Sequence, residues 1–466
     1  MVEEAKRLYE TVRNKTLNAI GVERDLQQLL NDSDISRVKQ LLQNRDIYVE
    51  NALKEYHPET HSVMSRYDKP REGKRAYQTE KLPRTRQRYI NEMELFFLLG
   101  KPVLWKNNTP EKEEVYNVFM QLVKGTRLDS VLRKVKRIAG SETEAAILFH
   151  LYQENGISQV KPVVLAYSEG YKLRPLFDQY DNMLAFGYGY NLRENGKTVE
   201  HFDVQTPDYI YQSKKTLTGW SVEKMPNPTK KINVVYVCQK TAWDGVQPRI
   251  DREERIDSVI ADTNNYFADP MAIATADVLD NLPGPSKPGK IIQLNGEKSK
   301  FEYINPPIAS ELQANEKKEL QTSILFDSFT PDMSFDSLKG MGTLSGSALR
   351  RAMSLGYIKR DILKETYDVA VSRCKNILLA IMARVTNIEL MGQIADIDIE
   401  FEFAEPFSED TQEKWAAIGK AYNDGIMSLD EAISQLGVAD NPQEELEKIN
   451  QQSALSNTSR LFEPTI

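Results

Sequence analysis

The sequence predicts an α+β protein built in several parts. Three observations lead there. Long stretches carry apolar residues at helical spacing. The region from 144 to 239 is a series of short, turn-bounded runs rich in aromatic and β-branched residues. A small proline-rich unit, 269–308, separates two further helices. The chain has 466 residues, which suggests about three domains. Its 40% hydrophobic and 27% charged content is that of an ordinary globular protein. With 21 Tyr and 16 Phe it is not disordered overall.

Residues 1–56 read as polar helices with short apolar runs at 26–30 and 38–42, and 31–36 form a turn that opens the next helix. Segment 66–88 carries nine basic residues against Asp68, Glu72 and Glu80. Pro70 and Pro83 break it, so it is expected to be an extended arm. Such an arm either contacts nucleic acid or an acidic partner, or is solvated and neutralises an acidic neighbour. A helix over 89–105 ends at Gly100. Leu128, Val131, Leu132, Val135 and Ile138 mark another, with Arg133, Lys134, Lys136 and Arg137 between them. Strands are expected at 144–152, 160–166, 185–192, 198–205 and 232–239. Gly187 and Gly189 lie in strand sequence, where glycine marks a bulge or a close backbone approach.

One helix fits 249–267. Ile250, Ile256, Val259, Ile260 and Phe267 lie on one side and a highly charged face on the other, with Pro270 just beyond. Residues 281–290 form a loop with three prolines. Runs 291–294 and 301–304 flank Asn295-Gly296, a hairpin signal. Ser310 and Gln313 make a capping box for a helix through 328, with apolar Leu312, Leu320, Ile324 and Leu325. A loop with three glycines, 330–346, leads to a long helix over 347–383, roughly 55 Å at the α-helical rise. Residues 393–403 alternate, with Ile397, Ile399, Phe401 and Phe403 inward and Asp396, Asp398, Glu400 and Glu402 wet. Helices at 408–422, 428–436 and 442–450 precede a polar tail, 451–466, expected to be disordered.

Composition narrows function. The net charge is −8, so the chain is not a generic nucleic-acid binder, and any DNA contact is local or works without tight binding. Cys238 and Cys374 are the only cysteines, which excludes a disulfide scaffold and a thiolate zinc site. His57-Pro-Glu-Thr-His61 lacks the zincin order, and Pro58 favours a turn, so no metal is expected. Lys339-Gly-Met-Gly-Thr-Leu-Ser-Gly346 lacks the Gly-Lys-Ser/Thr of a phosphate loop, and no Gly-x-Ser-x-Gly elbow occurs. A two-carboxylate active site leaves no short signature and stays open. No cofactor is called for. No run reaches 18 apolar residues, so no membrane contact is expected. The mixed-charge start is not a signal peptide, which places the chain in the cytosol where it is made.

The order of helix, proline-rich β unit, returning helix, Gly-rich loop and long helix resembles the portal proteins of tailed bacteriophages. Five stretches carry the resemblance. They are 53–66 with Tyr56, His61 and Arg66; Leu98-Leu-Gly-Lys-Pro-Val103; Leu173-Arg-Pro-Leu-Phe-Asp178; Ser345-Gly-Ser-Ala-Leu349; and Asp424-Gly-Ile-Met-Ser428 followed by Glu431. Together they cover about residues 50–450, and 1–45 match nothing.

The resemblance implies a multi-part portal fold: an N-terminal extension at 1–45, a mixed wing at 46–249, stem helices at 250–268 and 309–329, and a clip at 269–308. A tunnel loop would follow at 330–346, then the long helix and wing strand at 347–405 and a helical crown at 406–450. It implies a structural protein, not an enzyme: a ring, usually of twelve copies, at one capsid vertex of the virion, assembled in the host cytoplasm. Double-stranded DNA would pass through it. The terminase large subunit, major capsid and scaffold proteins, and a head-completion adaptor would be its partners. Lys317, Lys318 and Lys339 are candidates to line the channel, with Met341 and Leu344 at the loop tip. Lys287, Lys290, Lys298 and Lys300 of the clip would face terminase and the adaptor. Each channel lysine also has a bland reading, as a solvated residue or an intersubunit ion pair. Two other functions compete: a ring-forming virion component without DNA transit, and an enzyme acting on nucleic acid.

Overall fold

The computed structural model describes residues 19–71, 74–268, 272–275, 278–280, 293–295, 300–303, 309–334, 350–407 and 411–436, with isolated positions 337, 339, 446, 448 and 449. The chain divides into two units, 1–331 with 355–404 and 332–354 with 405–466.

In the first unit, α1 (Ala19–Asn31) and α2 (Ile35–Leu41) are joined by a tight turn. Asp34 caps α2, its carboxylate accepting the Arg37 N–H at 3.2 Å. After α3 (Asp46–Tyr56) comes the basic arm. It is not extended throughout, as its prolines suggested: β1 (Lys69–Arg71) and β2 (Lys74–Tyr77) pair as an antiparallel hairpin. An isolated two-stranded ribbon leaves free edges, so Pro70 removes no ladder donor that a third strand would need.

Next are α4 (Arg86–Leu99), β3 (Val103–Asn107), α5 (Glu113–Gly125) and α6 (Leu128–Glu142). Eight strands follow: β4 (Glu144–Glu154), β5 (Ile157–Leu165), β6 (Lys172–Phe177), β7 (Met183–Glu194), β8 (Lys197–Gln205), β9 (Tyr209–Thr216), β10 (Gly219–Pro226) and β11 (Val234–Cys238). They form an antiparallel β11-β4-β5 sheet and an antiparallel β10-β9-β8-β7-β6 meander. The pair β9–β10 escaped the sequence reading. Its run of Ser213-Lys-Lys-Thr216 and a largely exposed β10 give little apolar alternation. The meander buries one face against α1 and α2, where Leu26, Leu30, Ile35, Val38 and Leu42 meet Leu176, Ala185, Phe202, Val204 and Tyr211. These two helices, expected from the sequence to be an N-terminal extension, therefore complete this sheet's core. Gly187 shows why: a Cβ there would lie 2.7 Å from Leu42 Cδ1 and 2.9 Å from Phe202 Cζ, the close approach that glycine signalled.

Helix α7 (Gln247–Ala268) leaves this body. Four short strands follow: β12 (Ala272–Thr275), β13 (Val278–Asp280), β14 (Gln293–Asn295) and β15 (Lys300–Tyr303). The expected hairpin about Asn295-Gly296 is not formed by these segments. β14 pairs with β13, and β15 with β12, both antiparallel. The Asn-Gly signal reads only local turn chemistry, whereas both runs here take partners from before the proline loop.

Helix α8 (Ala309–Asp327) returns. It buries Ile324 but leaves Leu312 75% exposed, against the expected apolar stripe. Helix α9 (Ser354–Ile381) is 28 residues long, about 42 Å. It is shorter than expected: a turn interrupts the helix at Met353, and a π turn at Met382–Thr386 ends it. Only β16 (Ile399–Phe403) of the predicted long strand is extended, because Met391–Ile394 is helical. Within β16 the alternation holds, with Ile399 and Phe403 buried and Glu400 and Glu402 exposed. β16 pairs with β3, placing Phe401 opposite Trp105.

The main core joins α4, α5, α6, β4, α9 and β16 through residues such as Leu98, Phe119, Leu132, Ile147, Tyr367 and Ile377. It also holds a buried charge cluster. Lys136 donates to Glu94 and, at 3.0 Å, to Asn91 Oδ1, while Lys359 reaches Glu94 at 3.1 Å. Burial pushes the Glu94 carboxyl pKa up, but the two ammonium groups outweigh it and hold it below its ordinary value. Lys136 itself is drawn down by burial, against the pull of Glu94.

In the second unit α10 (Thr411–Asn423) and α11 (Leu429–Leu436) are joined through Gly425, whose φ of 73° needs glycine's freedom. Ser428 Oγ accepts the Glu431 N–H at 3.2 Å and caps α11. The expected helix over 442–450 and the tail lie almost wholly outside the described residues, as does most of 330–346.

Candidate functional site

The site begins with a surprise in α7. Ile250 and Ile256 are buried as expected, but Val259 is 37% exposed. Glu253, Glu254, Asp257 and Asp262 are buried instead. These positions recur at helical spacing, so they form one acidic stripe. The sequence reading set a highly charged face opposite the apolar one. It is inward because the basic arm lies along it.

The contacts run as rungs. Arg86 grips Glu253 through Nε at 3.1 Å and Nη2 at 2.8 Å. Glu254 Oε1 accepts the Arg84 N–H at 2.8 Å. Asp257 Oδ2 takes Arg84 Nε at 2.6 Å and also its Nη2. Ser258 Oγ accepts the Leu82 N–H at 3.0 Å. Asp262 accepts the Glu80 N–H and Arg66 Nη2, each at 2.7 Å. Numbers fall along the arm as they rise along α7, so 80–86 is a strap lying antiparallel to the helix. Pro83 has no N–H and sits between the anchored amides of Leu82 and Arg84.

His61 belongs to the same ladder. Its Nδ1 lies 2.7 Å from Glu254 Oε1 and its Nε2 2.8 Å from the Glu55 carbonyl. Both partners are acceptors, so both ring nitrogens carry protons in this arrangement. Burial draws the imidazole pKa down. The hydrogen bond and charge of Glu254, with the Glu55 carbonyl, outweigh it and hold His61 above its ordinary value. The ring is committed on both sides, and no group suited to hold a metal ion occurs among the described residues.

Helix α8 reaches the same carboxylates from its own side. Gln321 Nε2 donates to Glu253 Oε1 at 2.9 Å, and Lys317 Nζ meets Asp257 Oδ1 at 2.6 Å. Solvated pairs Arg252–Glu316 and Arg249–Asp327 also link the two helices. Beyond α8, Phe329 takes a left-handed φ of 53° and the Pro331 carbonyl accepts Tyr89 Oη at 2.7 Å. That bond ties the exit of α8 to α4.

Of the residues singled out from sequence, Lys317 and Lys318 are adjacent on α8. Lys317 is half-buried on Asp257, whereas Lys318 is exposed. Lys339 is exposed. Lys300 opens β15 opposite Thr275. Met341, Leu344, Lys287, Lys290 and Lys298 lie outside the described residues. Sequence reasoning missed Glu253, Asp257 and Asp262 as inward groups. The usable signal was an acidic stripe at helical spacing in a chain that also carries a basic segment with few acids of its own.

A family model described as phage portal protein, SPP1 Gp6-like, matches residues 27–458. This chain belongs to that portal family. It is accordingly a structural protein of the virion and not an enzyme. The match starts within α1, so residues 27–45, for which the sequence reading found no counterpart, belong to the portal region together with α3 to β11 and the α7–α8 pair. No curated relative matches the chain. Three solved structures from gene transfer agent particles are similar at low identity. The neck of a native particle computed with C12 symmetry is 11% identical, with a TM-score of 0.42, covering 76% of this chain and 91% of that one. A native virion is 10% identical, with a TM-score of 0.39, covering 76% and 89%. The neck of an empty particle computed with C6 symmetry is 10% identical, with a TM-score of 0.39, covering 76% and 90%.

Proposed function

We propose that this portal-family chain assembles into a ring, of about twelve copies by analogy with the family, at one vertex of the capsid. DNA passes through the ring during packaging by terminase and again on exit, and an adaptor docks on it when the head is complete. The observation that carries this reading is the α7–α8 pair. Their 22 and 19 residues give rods of about 33 and 29 Å, joined by Lys317 on Asp257, by Gln321 on Glu253 and by two solvated arginine–carboxylate pairs. Two rods held in constant register suit the wall of a conduit. In this reading α7 and α8 are the stem, 269–308 the clip, 330–346 the tunnel loop and 406–450 the crown.

An acidic chain fits the task, since DNA must slide and dense phosphate binding would brake it. Lys318 and Lys339 supply sparse guiding cations, with Met341 and Leu344 making sequence-blind contacts. Lys287, Lys290, Lys298 and Lys300 of the clip meet terminase and the adaptor.

The test is native mass spectrometry and electron-microscope class averages of the purified full chain, with a variant lacking 330–346 examined in a packaging assay. The expected result is a closed ring with a central hole for both proteins, and loss of packaged DNA for the deletion. A wild-type protein that stays monomeric when assembled with capsid and scaffold proteins overturns the ring. Normal packaging by the deletion overturns the tunnel-loop assignment.

A further inference from the structure

Asp257 holds two cations at once. Arg84 occupies Oδ2 through Nε and Nη2, and Lys317 occupies Oδ1 at 2.6 Å. The Asp257 carboxylate is 5% exposed, while the Lys317 side chain is 30% exposed. Arg84 is the more exposed of the two cations, at 40%, but it grips Oδ2 through two donors, whereas Lys317 holds Oδ1 through one, so Lys317 is the cation more readily exchanged.

The other cationic links between α7 and α8 differ. Arg252 and Arg249 each hold one carboxylate, Glu316 and Asp327, and among the described residues no second cation reaches either acid. Their departure would leave a lone acid. If Lys317 leaves, Asp257 stays neutralised by Arg84, so the usual penalty of an orphaned buried charge does not arise.

We propose that Lys317 is an exchangeable cation that moves from Asp257 to a phosphate of a duplex DNA backbone, and that Arg84 is the positioning residue that makes the exchange possible. The proposal rests on the portal reading and deepens it. It gives one of the expected channel lysines a resting partner, and it gives the basic strap a function at a distance from the DNA. Contact is then made only where phosphate is presented, and between phosphates the charge returns to Asp257, which suits sliding.

The test uses the full-length assembled protein, a random-sequence linear duplex and acylation of lysines by a water-soluble succinimidyl ester read by mass spectrometry. Exposed Lys197 of β8, which has no place in the proposed channel, is the internal reference. In wild type, DNA is expected to slow acylation of Lys317. In Arg84→Gln, Asp257 keeps Lys317 as its one cation. Acylation of Lys317 relative to Lys197 should fall without DNA, and added DNA should change it little. Arg84→Lys, which keeps one charge, should restore the DNA effect, and so should Arg84→Gln combined with Asp257→Asn.

The salt dependence of DNA binding gives a second readout. Each lost phosphate contact lowers the slope of log affinity against log salt by about 0.9. Arg84→Gln should therefore reduce the affinity lost between 50 and 200 mM salt by about 3.5-fold for each Lys317 that had been engaged. Should Arg84→Gln fail to fold, Asp257→Asn alone decides: it must raise Lys317 acylation without DNA. Unchanged Lys317 acylation in Asp257→Asn, or full DNA protection of Lys317 in a folded Arg84→Gln ring, overturns the exchange. Either result leaves the ring reading intact, because ring mass is measured separately. Absence of a wild-type ring would defeat that reading while the DNA-free acylation pattern still stood.

Discussion

Replacing Arg86 by Leu isolates what the buried ladder contributes. The Glu253 side chain has 0% exposure, and Arg86 makes two of its three side-chain hydrogen bonds, Gln321 the third. The variant leaves a buried carboxylate with one neutral donor. Breaking a buried pair in this way costs about 3–5 kcal/mol. At about 1.4 kcal/mol per factor of ten, opening of α7 becomes roughly two to three and a half orders of magnitude more frequent. Hydrogen exchange of the α7 amides, read by mass spectrometry on the assembled protein, reports that opening locally.

Two controls sharpen the test. Arg252→Ala removes a solvent-exposed partner of Glu316 and should leave α7 exchange close to wild type, because such pairs contribute little. Arg86→Leu combined with Glu253→Leu removes both charges and should recover most of the lost protection, since apolar residues often replace buried ion pairs without loss. Equal exchange in Arg86→Leu and Arg252→Ala, or a double variant as weak as the single, would refute the claim that the ladder's energetics lie in a satisfied buried charge.

Two other outcomes follow from the same structure. His61 is held above its ordinary imidazole value, so its contribution is complete below about pH 6.5 and is lost as pH rises through the raised value. Melting temperature should fall with alkalinity over that window in wild type, and a His61→Gln variant showing the same slope would remove His61 as the cause. Gly187→Ala forces a methyl to within 2.7 Å of Leu42 Cδ1. It should destabilise the meander by about 1–3 kcal/mol and speed proteolysis of α1–α2. Leu42→Ala in the same chain should relieve part of that effect, and additive losses instead would show that the clash lies elsewhere.

The elements that were legible in the sequence are those whose burial follows their polarity. The stripe Leu128, Leu132, Val135 marked α6 because those residues are the buried ones. The alternation Ile399, Glu400, Phe401, Glu402, Phe403 marked β16 for the same reason. The Gly187 reading succeeded because glycine in a strand has few purposes apart from close approach. Failures occurred where partners come from far along the chain. In α7 the helix and the burial of Ile250 and Ile256 are legible, but the burial of its acids is not, because arginines some 170 positions earlier in sequence cover them. Strands β14 and β15 were given to each other because a local turn signal carries no information about β12 and β13. Candidate channel lysines were visible as charges, but the resting partner of Lys317 was not, since nothing in one helix's spacing reveals a carboxylate on another.

The same reasoning explains why the contact between α7 and the strap is charged. An apolar contact there would be at least as stable, because desolvating four carboxylates and their cations is costly. Apolar side chains, however, tolerate a shift of the helix along the strap, whereas each rung here is directional. Arg86 fits Glu253 through two parallel bonds, and Arg84 fits Asp257 in the same way. A slip of α7 by a fraction of a turn would move Glu253, Asp257 and Asp262 off their guanidinium partners, at the cost of unpaired buried charge. The strap therefore exchanges some stability for a fixed register. In the stem reading proposed above, that register would let every subunit of a ring present its cations at one level.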